Sequence, residues 1–509
     1  MSKNANPTGR APSDGAAWLP WLAAAIGLAL TLWAFYPGYM SQDSADQYLQ
    51  ARTGQFDTHH PPLMAMIWRL TDHVIPGPGG IFVLFVLMYW AALALVAAHT
   101  TRRRWAKVMA VLGIGFWPPM IGLLAHVWKD VGLLAAFLLA GGLLIRESRH
   151  PSRVLLLSAF VLIALGAGFR HNGVFAALPF MPWLAARWLR PDGAGERRQA
   201  PRVIAVAVLA ALVTAAIAQL PDYLPHVQRR SMWPTVALWD LAAVSLEEGR
   251  IVIPYSLLRP GLTLQELESN FSPFTNTSTF QTNKILLSLW APYTATQDYD
   301  LRHAWLALPF QHPSAYWRHR WRLTALLFGS GAQGRPPYLV LQPEEQQLAD
   351  NPTVVPNQSA LNRLAMSVLL GLIGTPLFGG WLYLTLAALV LVSSVRRPAL
   401  GRHALAATIA GSGLCYAVPL SVLSGSADFR YLSWLVGASL IAALLRFGGT
   451  PVEPAPGSNG TVSSQAAKKR PSLRHARGSE LAEATRRRRN PPRCLEARGY
   501  GSVTALLSV

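Results

Sequence analysis

Residues 80–99 read GIFVLFVLMYWAALALVAAH, a run of twenty residues without Asp, Glu, Lys or Arg. An α-helix needs about 20 apolar residues to cross the hydrocarbon core of a bilayer. Only 14% of the 509 residues of the chain are charged, whereas a soluble domain carries about 25%. We therefore expect an all-α polytopic membrane protein, and the composition argues against a water-soluble enzyme.

Similar apolar runs recur along the chain and predict about ten transmembrane helices. The first run follows a weakly basic N-terminus and has no small-residue cleavage site at its end, so we interpret it as a retained signal anchor. Near the C-terminal side, residues 364–393 allow either one tilted helix or an interfacial helix followed by a span. The predicted spans are 16–36, 80–99, 106–126, 131–146, 154–170, 173–189, 203–220, 375–395, 404–424 and 431–447.

Lys and Arg orient the predicted helices, because these residues are enriched in cytoplasmic loops. With the N-terminus inside, 18 basic residues lie on the cytoplasmic side and six lie outside, leaving aside the long loop and the C-terminal tail. This split predicts a multi-pass protein of the inner (plasma) membrane. Its functional face is expected to point towards the periplasm or the exterior.

Five regions follow from this topology. Helices are expected at 62–74, 233–248 and 312–328 in the outer regions. The tail is polar and basic, which favours a disordered segment or one attracted to anionic lipid. No base-reading module accompanies its charge, so we expect no nucleic-acid partner. The regions are a cytoplasmic N-terminus (1–15), an N-terminal bundle (16–220) with a first outer loop (37–79), an extracytoplasmic domain (221–362), C-terminal helices (363–447) and the tail (448–509).

Polar side chains that interrupt the apolar runs all fall on the outer face of this topology. Ionisable groups at membrane depth cost several kcal/mol unless they are paired or hydrated, so their collection at one rim predicts a functional site. The alternatives are interfacial anchors, ion pairs between helices or, for Asp43, a helix cap. The residues are Asp43, Asp46, His60, Lys129, Asp130, Arg170, His171, Asn172, Asp428, Arg430 and Tyr431.

An acidic first outer loop that ends in His60-Pro61-Pro62-Leu63, attached to a multi-span bundle with an outer domain, resembles the GT-C membrane glycosyltransferases. That superfamily includes protein mannosyltransferases, lipid A aminoarabinose transferases and bacterial relatives that use polyprenyl-phosphate sugars. The resemblance covers residues 16–447. Further segments resemble motifs of an uncharacterised bacterial branch: Lys129-Asp130, Arg170-His171-Asn172-Gly173 and Asp428-Phe429-Arg430-Tyr431.

The resemblance implies transfer of a sugar from a polyprenyl-phosphate-linked donor to an envelope glycolipid, polysaccharide or protein, with inversion. A carboxylate of the first outer loop would accept the proton of the acceptor hydroxyl. Many family members carry adjacent Asp and Glu there, whereas this chain separates Asp43 from Asp46 by two residues. Which of them is the base therefore stays open, and we favour Asp43 because it lies nearest the end of the first span.

The remaining polar residues would bind the substrates. The leaving phosphate would be stabilised by Arg430, Lys129, Arg170 or His60, and Asp130 and Asp428 would hold these cations in place. Some family members need a divalent metal ion. Asp43 and Asp46 offer oxygen ligands for such an ion, although the sequence contains no full coordination set.

Two other functions compete with glycosyl transfer. A transporter or lipid flippase usually has charges at mid-span and two related halves, whereas here the charges cluster at helix ends and one long outer segment breaks the symmetry. A non-catalytic scaffold predicts that the rim charges satisfy one another and leave no cavity.

Overall fold

A computed structural model describes residues 17–101, 103–189, 196–276, 293–329, 348–395 and 401–448. The predicted N-terminal segment 1–15 and the basic tail beyond residue 448 lie outside this part of the chain. The described residues are mostly helical, as expected for the all-α class. Two short strands, β1 (Phe56–Asp57) and β2 (Val227–Gln228), pair in parallel.

Twenty α-helices are present in the described residues. They are α1 (Leu19–Phe35), α2 (Gln42–Thr53), α3 (Leu63–Asp72), α4 (Gly79–Thr100), α5 (Arg104–Gly115), α6 (Pro118–Leu124), α7 (Lys129–Arg149), α8 (Arg153–Gly168), α9 (Gly173–Ala177), α10 (Phe180–Leu189), α11 (Glu196–Gln219), α12 (Trp233–Glu247), α13 (Leu264–Asn270), α14 (Ala295–Gln311), α15 (Pro313–Leu327), α16 (Ala360–Leu372), α17 (Gly380–Val395), α18 (Arg402–Ala417), α19 (Leu420–Leu423) and α20 (Ser433–Phe447). Short 3₁₀ turns cover Leu220–Tyr223, Tyr255–Leu257, Pro376–Phe378 and Phe429–Leu432.

Membrane-spanning capacity is concentrated in a few of these helices. Within the described residues, five segments are long and apolar enough to cross a bilayer, and the bent pair α5 and α6 makes a sixth if it counts as one span. Four further apolar helices, α1, α8, α16 and α17, have only 13 to 17 residues. The structure therefore supports a membrane protein, and the figure of ten spans stays a prediction. The five segments are Gly79–Thr100, Lys129–Arg149, Gln199–Tyr223, Arg402–Leu423 and Phe429–Phe447.

Several predicted spans are interrupted at proline. The run 106–126 bends by 58° between α5 and α6, where Pro118 and Pro119 follow. The run 173–189 is split into α9 and α10 around Pro179. Residues 364–393 form two helices, α16 and α17, with a 3₁₀ turn that begins at Pro376 between them. Proline lacks the amide hydrogen of a helix interior and clashes with the preceding turn, which explains the breaks.

The core of the bundle forms where α4 packs against α1, α5 and α7, and where α18 packs against α17 and α20. The buried indole of Trp90 on α4 fills a slot between Gly27 and Gly115. A Cβ atom at either glycine would lie 2.3 Å from the Trp90 ring. Trp90 Nε1 also donates a hydrogen bond to Thr31 Oγ1 at 3.1 Å, so this contact fixes the rotation of α1 against α4.

The long segment after α11 contains its own helical layer of α12, α14 and α15, which pack against one another. The predicted helices at 62–74, 233–248 and 312–328 are confirmed as α3, α12 and α15. Pairing of β1 with β2 brings the first outer loop against this long segment. These two regions, far apart in sequence, therefore adjoin each other.

Candidate functional site

A cavity of about 430 Å³ lies where the helix ends meet the long segment, and we call it the acidic–basic cavity. Met232, Trp233, Thr235 and Val236, around the start of α12, form one wall. Asp46 and Asp130, two of the predicted site residues, do not line the cavity. The other nine line it: Asp43, His60, Lys129, Arg170, His171, Asn172, Asp428, Arg430 and Tyr431.

Asp43 lies in the first turn of α2, and hydrogen bonds from α2 to the residues before α7 fix its place. Gly54 ends α2 with φ of 73°, a left-handed conformation that favours glycine. At the start of α2, the hydroxyl of Ser44 donates to the carbonyl of Val127 at 2.7 Å, and the indole of Trp128 donates to Ser41 Oγ at 2.9 Å. Because Val127 and Trp128 directly precede α7, these two hydrogen bonds bring Asp43 beside Lys129.

Three basic side chains surround the Asp43 carboxylate. Arg430 Nη2 lies 2.8 Å and Lys129 Nζ 3.4 Å from Oδ2, and His60 Nε2 lies 3.8 Å from Oδ1. Burial would raise the pKa of Asp43, but the nearby charges, first Arg430 and then Lys129, hold it well below its usual range. Asp43 is therefore ionised at neutral pH. Its side chain keeps 27% exposure to the cavity.

His60 is neutral and has a defined orientation. Burial, together with the charge of Lys129, holds the pKa of His60 well below its usual value. Lys129 Nζ lies 2.7 Å from Nδ1 of His60. An ammonium can only donate, so Nδ1 accepts and the proton sits on Nε2, facing Asp43. His60 thus presents an N–H group to the carboxylate.

Arg430 has hydrogen-bonding capacity that its neighbours leave unused. Its Nη2 contacts Asp43 at 2.8 Å and Asp428 at 3.3 Å, and its guanidinium lies over the Trp128 ring at 5.2 Å. The buried Nε and Nη1 atoms have no hydrogen-bond partner among the described residues. Buried N–H groups without partners cost about 1–3 kcal/mol, and Arg430 lines the cavity, so its guanidinium charge lies beside any anion bound there.

Arg170 and Asp130 form a buried ion pair at the edge of the cavity. Arg170 Nε also donates to Asn172 Oδ1 at 3.1 Å, and its guanidinium lies 4.3 Å from the centre of the Tyr431 ring. Asp130 therefore orients Arg170 and does not pair with its neighbour Lys129. Next to this pair, burial and the charges of Lys129 and Arg170 lower the pKa of His171 to about 4.

Asp46 does not line the cavity. Its carboxylate lies near that of Asp57, and Gln50 bridges the two. Gln50 Nε2 donates to Asp46 Oδ2 at 2.9 Å and to Asp57 Oδ1 at 3.2 Å. Arg230 Nε lies 3.3 Å from Asp57 Oδ2. Burial, with the charge of Asp57 adding to it, raises the pKa of Asp46 to about 6. This environment distinguishes Asp46 from Asp43.

The raised pKa of Asp46 makes stability depend on pH. The folded protein holds the proton more tightly than the unfolded chain, so ionisation of Asp46 lowers the free energy of unfolding as pH rises from about 4 to about 6. We expect Asp46→Asn to remove this part of the pH dependence, because an amide does not titrate and its oxygen still accepts from Gln50. The difference between the melting temperatures in detergent at pH 4.5 and pH 7 measures this pH dependence. An equal difference for the wild type and Asp46→Asn would contradict the prediction.

Other residues of the site were not among the predicted site residues, although His59 directly precedes the His60-Pro61-Pro62-Leu63 motif. His59 Nδ1 lies 3.0 Å from Met232 Sδ, and Ser426 Oγ donates to Asp428 Oδ1 at 2.8 Å. Buried residues of the long segment reach the same loop: Arg320 pairs with Asp240, and Arg320 Nη1 donates to the carbonyl of Ser424 at 2.7 Å. Ser426 lies two residues before the Asp428 motif, whereas nothing in the sequence pointed to Asp240, Arg320 or Met232.

No group of three or more His, Cys, Asp or Glu side chains that could hold a metal ion occurs among the described residues. Asp43 and Asp46, the predicted oxygen ligands, contact different partners. Comparison with protein-family models, curated proteins and solved structures gives no match to this chain. The function is therefore argued from the chemistry of the cavity.

Proposed function

We propose that the protein is an integral membrane glycosyltransferase. It transfers a sugar from a polyprenyl-phosphate-linked donor to an envelope glycolipid, polysaccharide or protein at the outer face of the inner membrane. One observation carries the proposal: an ionised carboxylate, Asp43, shares a cavity with Lys129 and Arg430, two cations suited to a phosphate. A cavity of this kind also argues against the scaffold, which needs none.

The reaction is a single displacement. The acceptor oxygen attacks the anomeric carbon, and Asp43 accepts the proton of the acceptor hydroxyl. The bond between the anomeric carbon and the phosphate oxygen breaks, and its electron pair stays on that oxygen. The products are the glycosylated acceptor, with inverted anomeric configuration, and polyprenyl phosphate.

The leaving phosphate is stabilised by the cations of the cavity. Arg430 lines the cavity and offers its guanidinium, and charge-assisted hydrogen bonds to such a group are the stronger ones. Lys129 supplies a second positive charge. Arg170, held by Asp130, offers a third at the edge of the cavity. These groups stabilise the charge that develops in the transition state.

Donor binding also activates the base. In the free protein, Arg430 and Lys129 hold the pKa of Asp43 down, which makes it a weak base. The donor phosphate competes with Asp43 for the same two cations. As their charge is shared with the phosphate, the pKa of Asp43 rises, so Asp43 becomes a better proton acceptor only when the donor is bound.

Mass spectrometry of envelope glycolipids and glycans from cells with and without the protein tests this function. We expect one species to lose a single sugar in mass when the protein is absent. Purified protein in nanodiscs should release polyprenyl phosphate from a sugar-linked donor when envelope extract is added. An unchanged envelope and an intact donor would refute the proposal, and passage of an intact donor across vesicles would favour the transporter.

A further inference from the structure

A second cavity, of about 540 Å³, adjoins the acidic–basic cavity, and we call it the basic cavity. The two share His171, Met232 and Trp233 as a common wall. A ligand in the basic cavity therefore lies beside the cavity that Asp43 lines. This arrangement suits a reaction with two substrates, in which one cavity holds each.

The basic cavity is lined by two arginines, Arg229 and Arg230, and by one acid, Asp222. Arg230 is engaged with Asp57 at 3.3 Å. Arg229 is exposed, and its guanidinium lies 4.2 Å from the centre of the Tyr223 ring. Stacking on an aromatic face holds a guanidinium in place and leaves its N–H groups available for a carboxylate or phosphate.

Other residues of this cavity match a sugar ring. Tyr223 is 58% exposed and, with Trp233, supplies aromatic surface. The negative face of an aromatic ring attracts the weakly positive C–H groups of a pyranose. Asp222 also lines this cavity and adds a carboxylate to it. A sugar hydroxyl is a suitable donor for a carboxylate oxygen.

We propose that the basic cavity binds the acceptor, and that the acceptor is a saccharide carrying a carboxylate or phosphate group. The assignment of this ligand as acceptor rests on the proposed glycosyl transfer. The binding of an acidic saccharide rests on the basic cavity alone. An anionic lipid headgroup shares the negative charge but does not need the aromatic side chains of Tyr223 and Trp233 or the carboxylate of Asp222.

The test measures equilibrium binding to the full-length protein in phosphatidylcholine nanodiscs. The probes are cellobiouronic acid, which carries one carboxylate, and cellobiose, its neutral counterpart. We expect the acidic disaccharide to bind about tenfold more tightly, as one charge-assisted hydrogen bond provides. Equal binding of the two sugars by the wild-type protein would overturn the proposal without reference to any variant.

Variants locate the binding. Arg229→Gln is expected to reduce affinity for the acidic disaccharide to that for the neutral one, while Arg250→Gln, an exposed arginine outside both cavities, retains wild-type affinity. Wild-type affinity in Arg229→Gln would overturn the assignment. Displacement of the sugar by phosphatidylglycerol in the nanodisc would identify a lipid headgroup instead and also overturn it. If the acidic sugar binds but no sugar transfer is detected, the proposed glycosyl transfer is refuted and the proposed binding site stands.

Discussion

Replacing Asp43 with Asn is expected to lower kcat/KM for sugar transfer by about a thousandfold, within the range that general-base catalysis contributes. The amide is nearly the same size but accepts no proton from the acceptor hydroxyl. It also removes one of the carboxylates that compete for Arg430 and the carboxylate paired with Lys129, so the donor phosphate binds at least as well. The loss should therefore appear in kcat and not as a raised KM for the donor.

Asp46→Asn is the matched variant, since both acids lie in α2 three residues apart. Asp46 lies outside the cavity, and we expect this variant to keep most of its activity. The pH profile gives a second readout. A base with the pKa of Asp46 would make kcat/KM fall below about pH 6, whereas Asp43 as base gives no such limb. A fall of kcat/KM below about pH 6, or full activity in Asp43→Asn, would show that a residue other than Asp43 is the base.

Much of this site follows from hydrophobic patterning. The apolar runs are interrupted at few places, and each polar motif predicted on the outer face contributes residues to the cavity, including Lys129 at the start of α7 and Arg430 beside α20. Burial of scarce charges in an apolar bundle requires partners, so their convergence is a physical expectation. Proline positions could have placed the breaks at Pro118 and Pro376 too, because proline cannot continue a helix.

The choice between Asp43 and Asp46 could not come from the sequence. Residues three apart in a helix lie on nearly the same face, so their periodicity does not separate them. Their partners do: Asp43 meets α7 and the loop before α20, whereas Asp46 meets Gln50 and the strand residue Asp57. Those contacts depend on how α2 docks against Val127 and Trp128, which is a tertiary feature.

The pair of Asp240 and Arg320 was equally invisible, because a lone acid and a lone base in amphipathic stretches usually face solvent. In the structure both are almost fully buried, and the indole of Trp305 donates to Asp240 Oδ2 at 2.7 Å. Arg320 also holds the carbonyl of Ser424, at the start of the loop that leads to Asp428 and Arg430. We therefore expect the pair to help position Arg430 from within the long segment.

Arg320→Met is expected to destabilise the protein by about 3–5 kcal/mol, because it removes the arginine charge paired with the buried carboxylate of Asp240 and leaves only His319 and Trp305 beside it. Neutralising that carboxylate in the double variant Asp240→Asn/Arg320→Met should restore most of the melting temperature, since Asn still accepts from Trp305. Arg322→Met, an exposed position on the same helix, is the control and should melt like the wild type.

Activity measurements on the same variants distinguish a role of the pair in positioning Arg430 from a role in stabilising the fold. The double variant is expected to fold, but it lacks the hydrogen bond from Arg320 to Ser424. Ser424 connects through Ser426 to Asp428, which contacts Arg430. We expect its kcat to stay about tenfold or more below wild type, because a small misplacement of a stabilising charge is costly. Recovery of both melting temperature and kcat would show that the pair stabilises the fold without positioning Arg430.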